Sequence, residues 1–271
     1  TITGTNDAPT VNATAATGFT ELIAADAQNL SDSGTVSFDD IDTTDTVSIS
    51  FASNNDLTWA NPDGASIPQA TADALLAGFN TGVIDSAAPG TTPWNYSVAD
   101  ADLDFLADGQ TITFSYTVTA TDSQDDTATT TVAFTITGTN DDPVIIGTAS
   151  GSAQEDNTLT STGTLTSTDI DTGANATWSI QGSDNGTYGS LSLNGNSGEW
   201  TYTLNNGNDG TSSVVQNLAQ GASVNDTFTV KVTDEFGGFD TQVVTITITG
   251  TNDAPTVNAT AATGFTELIA A

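Results

Sequence analysis

Residues 111–137, TITFSYTVTATDSQDDTATTTVAFTIT, hold two runs in which every second side chain is apolar. That alternation is the period of a β-strand with one buried face. The remaining positions are mostly Thr, whose β-branched side chain suits a pleated strand. The polar stretch between the runs, residues 123–126, predicts a hairpin turn. The alternating apolar residues are Ile112, Phe114, Tyr116, Val118 and Ala120 in the first run and Val132, Phe134 and Ile136 in the second.

The same pattern returns further along the chain. Residues 106–143 align without a gap on residues 218–255, at an offset of 112 positions. Short strands punctuated by Gly, Asn and Asp predict an all-β chain built of β-sandwich domains. Further strands are predicted at Thr46–Phe51, Thr187–Leu193 and Glu199–Leu204, and short helical turns at Ala70–Leu76 and Val214–Ala219.

Two pairs of aromatic residues lie at alternate positions of predicted strands. They are Trp94 with Tyr96 and Trp200 with Tyr202. Because residues two apart share one face of a strand, we predict that both pairs belong to hydrophobic cores. The alternative, in which one of the Trp side chains stacks on a sugar, stays open.

A long exact repeat sets the domain organisation. Residues 1–25 recur letter for letter as residues 247–271. Surface positions in so long a stretch could vary freely, so the identity indicates a tandem array of whole units, each large enough for its own core. The predicted parts are an end strand and linker at 1–9, a longer sandwich at 10–139 with an insertion near 52–100, a linker at 140–143, a shorter sandwich at 144–251, and a linker with the start of the next copy at 252–271.

The composition excludes several classes of function. The chain has no Cys, His or Met, so it lacks thiol chemistry and the commonest general base, and we expect no enzyme. Thirty-four acidic residues and one basic residue give a formal net charge of −33, which opposes binding to nucleic acid or anionic lipid. No run approaches the ~20 apolar residues of a membrane span, so direct membrane insertion is not expected. Carboxylate, amide and carbonyl oxygens are instead hard ligands that suit Ca²⁺.

Acidic motifs recur in a fixed order. Asn-Asp precedes a Pro in each predicted linker, Asp-Ile-Asp occurs once in each unit, a single Asp ends the penultimate strand, and a Glu follows the linker Asp by 14 residues. The residues are Asn6, Asp7, Asn140, Asp141, Asp142, Asn252 and Asp253 in the linkers, Asp40, Asp42, Asp169 and Asp171 in the Asp-Ile-Asp motifs, Asp122 and Asp234 at the strand ends, and Glu21 and Glu155.

These motifs could form metal sites only by converging. A Ca²⁺ ion takes six to eight oxygen ligands, which no tripeptide supplies, so the ligands would come from loops clustered at one end of a sandwich. Repulsion among so many carboxylates would be costly without a cation between them. The alternative is that each motif is a solvated turn, since turns favour Asp.

Three stretches resemble a known family. They are GTYGSLSLNGNSGEWTYTLNN (186–206), VQNLAQGASVNDTFTVKVTDEFGG (215–238) and TITGTNDAP (247–255). They look like the VCBS repeat, a cadherin-like β-sandwich module of very large bacterial surface proteins such as the RTX adhesins. The resemblance covers nearly all of the second unit, and the first unit from Asp40 and again from Leu106. It implies tandem cadherin-like or immunoglobulin-like sandwiches in a linear array, exported by a type I system to the bacterial cell surface.

The resemblance also implies ligand sets for calcium. Cadherin-type modules bind Ca²⁺ at their junctions through an Asn-Asp linker, an Asp-x-Asp motif and a later Asp. Their Asp-Arg-Glu motif has no counterpart here, because Lys231 is the only basic residue. The implied sets are Asn6, Asp7, Asp40, Asp42 and Asp122 at one junction, and Asn140, Asp141, Asp142, Asp169, Asp171, Asp234 and Glu21 at the next. Glu155, Asn252 and Asp253 are further predicted metal ligands, because they repeat the same motifs.

The sequence therefore predicts a calcium-stiffened structural repeat, a stalk or fibre segment of an extracellular bacterial adhesin or biofilm-matrix protein. Its partners would be the neighbouring repeats of the same chain. Two alternatives stay open. In one, the insertion around Trp59 and Ala70–Leu76 binds a glycan or a protein receptor rather than padding the core or covering a sheet edge. In the other, the chain associates laterally with other copies in an extracellular fibre or matrix.

Overall fold

A computed structural model describes residues 1–23, 28–61, 64–82, 85–208, 211–255, 257 and 264 of the 271-residue chain. The chain forms two compact units: unit 1 is Thr1–Val144, Thr168–Ala176 and Thr233–Phe239, and unit 2 is Ile145–Ser167, Thr177–Val232 and Asp240–Ala271. These bounds follow contacts in space, whereas the predicted domain bounds follow the chain alone and stay a prediction. The predicted start of the next copy, at 252–271, lies largely outside the described residues.

Unit 1 contains two sheets. Its elements are β1 (Thr10–Ala13), β2 (Phe19–Thr20), β3 (Asn29–Asp39), β4 (Thr46–Ser53), β5 (Thr58–Ala60), α1 (Gln69–Ala77), β6 (Phe79–Thr81), β7 (Asp85–Ala87), β8 (Gly90–Ala99), a short 3-10 helix (Asp100–Asp102), β9 (Thr111–Thr121) and β10 (Thr127–Thr137). One sheet has the order β1-β3-β8-β6, and the other has the order β2-β10-β9-β4-β7, with β5 also paired to β9. The predicted hairpin is confirmed, because β9 and β10 pair antiparallel from Thr111 opposite Thr137 to Thr121 opposite Thr127.

The alternating apolar residues of both sheets meet in a single core. Those of β9 and β10 pack with Trp94 and Tyr96 of β8, which are 0% and 1% exposed. The prediction that these aromatics are core residues is therefore confirmed. Trp94 also donates from Nε1 to the carbonyl oxygen of Thr14 at 3.2 Å, so its one polar atom has a partner inside the fold.

The insertion in unit 1 closes one part of this core. It holds β5, α1, β6 and β7, and the predicted helical turn at Ala70–Leu76 is confirmed as the centre of α1. Leu75 is fully buried. The hydroxyls of Tyr96 and Tyr116 both donate to the Leu75 carbonyl oxygen, at 3.0 and 3.1 Å. These contacts fasten the helix to both sheets.

Unit 2 is a second sandwich. Its strands are β11 (Val144–Gly147), β12 (Ser150–Gln154), β13 (Thr160–Thr168), β14 (Thr177–Gln181), β15 (Gly189–Leu193), β16 (Glu199–Leu204), β17 (Ser223–Thr233) and β18 (Phe239–Thr249). One sheet has the order β11-β13-β16-β15 and the other β12-β18-β17-β14. The strands predicted at Thr187–Leu193 and Glu199–Leu204 are confirmed as β15 and β16. The stretch predicted as a helical turn, Val214–Ala219, stays a single hydrogen-bonded turn, because the chain soon turns at Ala219–Ala222 to enter β17.

A buried carboxylate lies among the apolar side chains of unit 2. Trp200 and Tyr202 are buried as predicted, at 1% and 0% exposure. Asp226 of β17 is 3% exposed. It accepts hydrogen bonds from Tyr202 Oη at 2.8 Å and from the backbone N–H groups of residues 187, 188 and 189 at 2.8, 3.0 and 2.9 Å. Four donors stabilise this charge and fix the loop that enters β15.

Each unit places an early strand beside its last strand in parallel. In unit 1, β2 pairs with β10, with Phe19 opposite Ile136. In unit 2, β12 pairs with β18 from Ser150 opposite Thr245 to Gln154 opposite Thr249. Antiparallel pairs such as β9 with β10, β3 with β8 and β13 with β16 build most of both units, so the predicted all-β class of tandem sandwiches is confirmed. Among the described residues there is no helix of the length and hydropathy that crossing a membrane requires.

Candidate metal centres

The first acidic cluster brings together motifs that lie far apart in the sequence of unit 1. The backbone N–H of Asp7 donates to Asp42 Oδ2 at 2.8 Å, and Asn6 Nδ2 donates to Asp122 Oδ2 at 2.9 Å. Asp42 N–H in turn donates to Asp40 Oδ1 at 2.9 Å. The Asn-Asp segment, the Asp-Ile-Asp motif and the strand-end Asp therefore meet, as the sequence predicts.

Local turn chemistry orients these side chains. Asp122 Oδ1 accepts the N–H groups of Gln124 and Asp126 at 2.8 and 2.9 Å, which closes the turn after β9. Asp40 is only 8% exposed, and its Oδ2 has no hydrogen-bond partner among the described residues. Carboxylate oxygens of Asp40, Asp45 and Asp122 lie within 4.8 Å of one another. Asp45 is a member of the cluster that sequence reasoning missed.

A second cluster in unit 1 repeats this geometry closely. Asp141 N–H donates to Asp171 Oδ2 at 2.9 Å, and Asn140 Nδ2 donates to Asp234 Oδ2 at 3.0 Å. Asp171 N–H donates to Asp169 Oδ1 at 3.0 Å. Asp171 is 5% exposed, and its Oδ1 accepts no hydrogen bond from the described part of the chain. The same residue types therefore build the same arrangement twice.

Asp142 has a different role from its neighbour Asp141. Its Oδ1 accepts the backbone N–H of Phe239 at 3.1 Å. The nearby Gly238 lets the chain come this close, because a Cβ there would lie 2.3 Å from Asp234 Oδ2 and 2.6 Å from Asp142 Oδ1. Asp142 therefore helps to hold the loop that carries Asp234.

A third group surrounds Glu21 in unit 1. Carboxylate oxygens of Glu21, Asp100 and Asp104 lie within 4.8 Å of one another, and Glu21 and Asp100 are fully buried. Glu21 Oε2 accepts the N–H of Thr139 at 2.8 Å. Glu21 Oε1 accepts no hydrogen bond from any part of the chain that the structure describes. Asp100 and Asp104 were missed by the sequence analysis, although the run DADLD at 100–104 follows β8 directly.

The electrostatics of these clusters favour a bound cation. Burial raises the pKa of Glu21 to about 7, and the carboxylates of Asp141 and Asp100 act in the same direction. Burial likewise raises the pKa of Asp171 to about 7, again reinforced by neighbouring carboxylates. In contrast, the hydrogen bond from Asn6 lowers the pKa of Asp122. A positive charge between the raised groups would restore their ionised form.

Unit 2 carries a related group. Carboxylate oxygens of Glu155, Asp156 and Asp253 lie within 4.8 Å of one another. Glu155 Oε2 accepts the N–H of Thr251 at 2.8 Å, as Glu21 accepts that of Thr139. Asp253 Oδ1 has no hydrogen-bond partner within the described ranges, and Asn252 Nδ2 donates to the Asp253 carbonyl oxygen at 3.1 Å. Asp156 is a further residue that the sequence analysis did not select.

The residues present fit a hard divalent ion. Buried oxygens of Glu21, Asp40 and Asp171 are left without hydrogen bonds from described residues, and Lys231 is the only basic side chain in the sequence. Carboxylate and amide oxygens in such numbers suit Ca²⁺, which accepts irregular coordination by oxygen. The structure thus contains acidic clusters that could hold a metal.

The Trp59 side chain in the insertion of unit 1 packs within the protein. Trp59 packs edge-on against Phe105 with ring centroids 4.9 Å apart. Its Nε1 donates to Gln110 Oε1 at 3.1 Å. The ring and its polar atom therefore both contact the protein itself. The ligand-binding alternative stays a prediction without a specific observation in its favour.

Comparison with known proteins bears most directly on the second half of the chain. Residues 140–250 match the bacterial cadherin-like domain. This cadherin-like match suggests an extracellular adhesion or structural module. No curated protein sequence matches the chain.

Solved cadherin ectodomains are similar at low sequence identity. Extracellular cadherin domains 3–6 of protocadherin gamma B2 share 12% identity over 91% of this chain and 51% of theirs, with a TM-score of 0.41. Domains EC3–6 of protocadherin gamma B7 share 15% sequence identity over 90% of this chain and 50% of theirs, with a TM-score of 0.42. Domains EC22–24 of mouse cadherin-23 share 16% sequence identity over 91% of this chain and 67% of theirs, with a TM-score of 0.40. The chain spans about half the length of the two protocadherin structures.

Proposed function

We propose that this chain is a calcium-binding structural repeat of an extracellular bacterial adhesin or surface fibre, of the VCBS type. The observation that carries the proposal is the repetition of one acidic geometry. The Asp7–Asp42 and Asp141–Asp171 contacts measure 2.8 and 2.9 Å. In both places a backbone N–H satisfies one oxygen of an Asp-Ile-Asp motif while buried oxygens of the same motif lack hydrogen bonds from described residues. Solvated turns would have no reason to bury such oxygens twice.

The residues of each cluster have two roles: some orient the carboxylates, and the carboxylates themselves would bind the ion. Asn6 and Asn140 orient the strand-end carboxylates, and the backbone N–H groups of Asp7 and Asp141 orient the Asp-Ile-Asp motifs. Bound Ca²⁺ would supply the positive charge and the coordination that these oxygens lack. We infer three ligand sets. The first is Asn140, Asp141, Asp169, Asp171, Asp234 and Glu21, with Asp100 and Asp104 beside Glu21; the second is Asn6, Asp7, Asp40, Asp42 and Asp122, with Asp45; the third is Glu155, Asp156 and Asp253. Asp142 supports its loop, and Asn252 supports Asp253.

Calcium binding would make the linker segments stiff. Without the ion, the like charges around Asp141 and Asp171 repel one another, so the metal-free segments should be free to move apart. When the ion is bound, the linker carboxylates and the loop carboxylates are held by the same cation. In a tandem array, stability is roughly a sum over units and their interfaces, so each bound ion adds to the rigidity of the stalk.

The test is a calcium titration of the 271-residue chain, followed by thermal unfolding and small-angle scattering. At a free Ca²⁺ concentration of about 100 times the Kd of a site, binding at that site should stabilise the folded state by about 2.7 kcal/mol. We expect Tm to rise with Ca²⁺ and the particle to lengthen.

Two variants make the test specific. Asp171→Asn should reduce the calcium-dependent rise in Tm, because it removes a ligand charge at a buried position. Glu199→Gln removes one charge from an exposed position of β16 and should leave the rise unchanged. Equal Tm values in calcium and in chelator would overturn the proposal.

A further inference from the structure

The Glu-containing clusters of the two units differ at several positions: Ser212 stands where unit 1 has Asp100, and Gln216 stands where unit 1 has Asp104. Asp104 corresponds to Gln216 at the offset of 112 positions that aligns residues 106–143 with 218–255 without a gap. The backbone confirms that register. Three backbone N–H to carbonyl hydrogen bonds occur in both units at this offset. Leu106 donates to Leu103, and Leu218 to Val215, at 2.9 Å each. The other two pairs join Gly109 to Gly138 (3.2 Å) and Gly221 to Gly250 (3.0 Å), and Gly138 to Gln110 and Gly250 to Ala222 (2.9 Å each).

In unit 1 this position contributes a charge. Asp104 lies with Glu21 and Asp100, and burial, followed by the Asp141 and Asp100 carboxylates, raises the pKa of Asp104. With Asp141, four carboxylates act on this region, whereas the group in unit 2 holds the three of Glu155, Asp156 and Asp253. Such a concentration of negative charge strengthens the attraction for a divalent cation.

In unit 2 the same position contributes a neutral amide. Gln216 is 7% exposed, and its Nε2 donates to Asp156 Oδ1 at 3.1 Å and to the Asn206 carbonyl oxygen at 2.9 Å. Its Oε1 accepts no hydrogen bond from the described residues. Gln216 and Asp253 line one cavity of about 350 Å³. The amide nitrogen is therefore engaged, and the buried amide oxygen is the atom left for a ligand.

We propose that Gln216 is a neutral oxygen ligand of the unit 2 site, and that a tandem array of these units alternates between tighter and weaker calcium sites. The inference rests on the proposed function, in which both clusters bind Ca²⁺. The number of charged ligands is one of the variables that tune calcium affinity. An array at intermediate calcium concentration would then load every second site and stiffen in two steps.

Hydrogen exchange of the 271-residue chain, read by mass spectrometry during a Ca²⁺ titration, follows each site separately. Peptides covering residues 100–110 report on the Glu21 cluster, and peptides covering 211–222 report on the Glu155 cluster. One substitution is made in each unit, so that each variant is compared with the wild-type residue at the same site. Gln216→Glu should lower the calcium midpoint of the unit 2 peptides by about tenfold, and Asp104→Gln should raise that of the unit 1 peptides by about tenfold. Each exchange should leave the other unit's midpoint unchanged.

Further variants separate the outcomes. Gln216→Ala should weaken the protection that Ca²⁺ gives to unit 2, while circular dichroism shows that the chain is still folded. If the Ala variant unfolds, Gln216→Asn takes its place. The Asn variant keeps an amide but should also weaken the protection, because its shorter side chain cannot bring the oxygen as far. If no peptide of the wild-type chain responds to Ca²⁺, the proposed function itself fails. If both regions respond but neither exchange moves a midpoint, the function stands and Gln216 is only a structural amide.

Discussion

The backbone N–H of Thr139 donates a 2.8 Å hydrogen bond to Glu21 Oε2, although the two residues are 118 positions apart. Glu21 follows β2 and Thr139 follows β10, and these two strands pair in parallel. The sheet itself therefore fixes one oxygen of a buried carboxylate, while Oε1 accepts no hydrogen bond from the described residues. The same bond joins Thr251 to Glu155 in unit 2, so the arrangement belongs to the fold rather than to one loop.

The stability of the metal-free protein should fall as pH rises from about 5 to 7.5. Burial raises the pKa of Glu21 from 4.5, and that of Asp171 from 3.8, to about 7. The folded state therefore holds protons that the unfolded chain releases. This contribution is fully present below pH about 4 and is lost as pH rises through about 7. Thermal unfolding in chelator across this range measures the slope.

Calcium should reverse that slope, because the ion binds the deprotonated carboxylates. Tm in excess Ca²⁺ is expected to rise over the same pH range. Glu21→Gln provides the control, since it removes one titrating group and should flatten the metal-free curve. A metal-free Tm that increases with pH between 5 and 7.5 would contradict the assignment of these groups.

Gly163→Ala should destabilise unit 2 by about 1–3 kcal/mol, since overpacking displaces well-packed neighbours. A Cβ at Gly163 would lie 2.3 Å from Cζ2 of the buried Trp200. Gly195→Ala is the matched control, because its nearest described contact is a carbonyl oxygen at 3.4 Å. Urea unfolding of both variants gives the comparison, and equal midpoints would show that Trp200 can move aside.

Asp226→Asn should destabilise unit 2 by about 2–3 kcal/mol, because it replaces charge-assisted bonds and turns an amide group toward three backbone donors. Tyr202→Phe removes only one of the four donors and should cost about 1 kcal/mol. Equilibrium unfolding in urea measures both. A smaller effect for the Asn variant than for the Phe variant would mean that the backbone bonds to Asp226 contribute little.

Tyr116→Phe should loosen α1 without unfolding unit 1. The Tyr116 hydroxyl donates to the carbonyl oxygens of Leu75 and Leu76 at 3.1 and 3.0 Å. Losing it should cost about 1 kcal/mol and increase hydrogen exchange in residues 69–77. Thr131→Ser, at an exposed position of the adjacent strand β10, serves as the control. Unchanged exchange in the helix would show that the burial of Leu75 alone holds it.

The sequence predicted the parts of the site that strand periodicity controls. Asp122 stands just after a strand whose apolar alternation is clear, and Asp40 and Asp42 belong to a motif that recurs in both units, so their convergence could be predicted for a sandwich. Asp100 and Asp104 were harder to find, because they lie in a short 3-10 turn and an irregular loop. Glu21 reaches them through tertiary contacts: the pairing of β2 with β10 and the hydrogen bond from Leu22 N–H to Asp100 Oδ1 at 3.1 Å.

Asp45 and Asp156 escaped prediction for a related reason. Each lies outside the recurring motifs, and single Asp residues are common in turns. Asp156 has a positive φ of 57°, a backbone conformation that no spacing rule reveals. Its role becomes visible only through the hydrogen bonds that Asn206 and Gln216 make to its side chain at 2.7 and 3.1 Å.

The parallel pairing of β12 with β18 determines how unit 2 would respond to tension. Pulling on the chain ahead of Ser150 and beyond Thr249 draws these two strands in opposite directions along their length. All the hydrogen bonds between them are then loaded together in shear, instead of opening one after another as in a zipper. A segment of a surface filament that is exposed to flow would gain from this arrangement a mechanical strength that its equilibrium stability alone does not reveal.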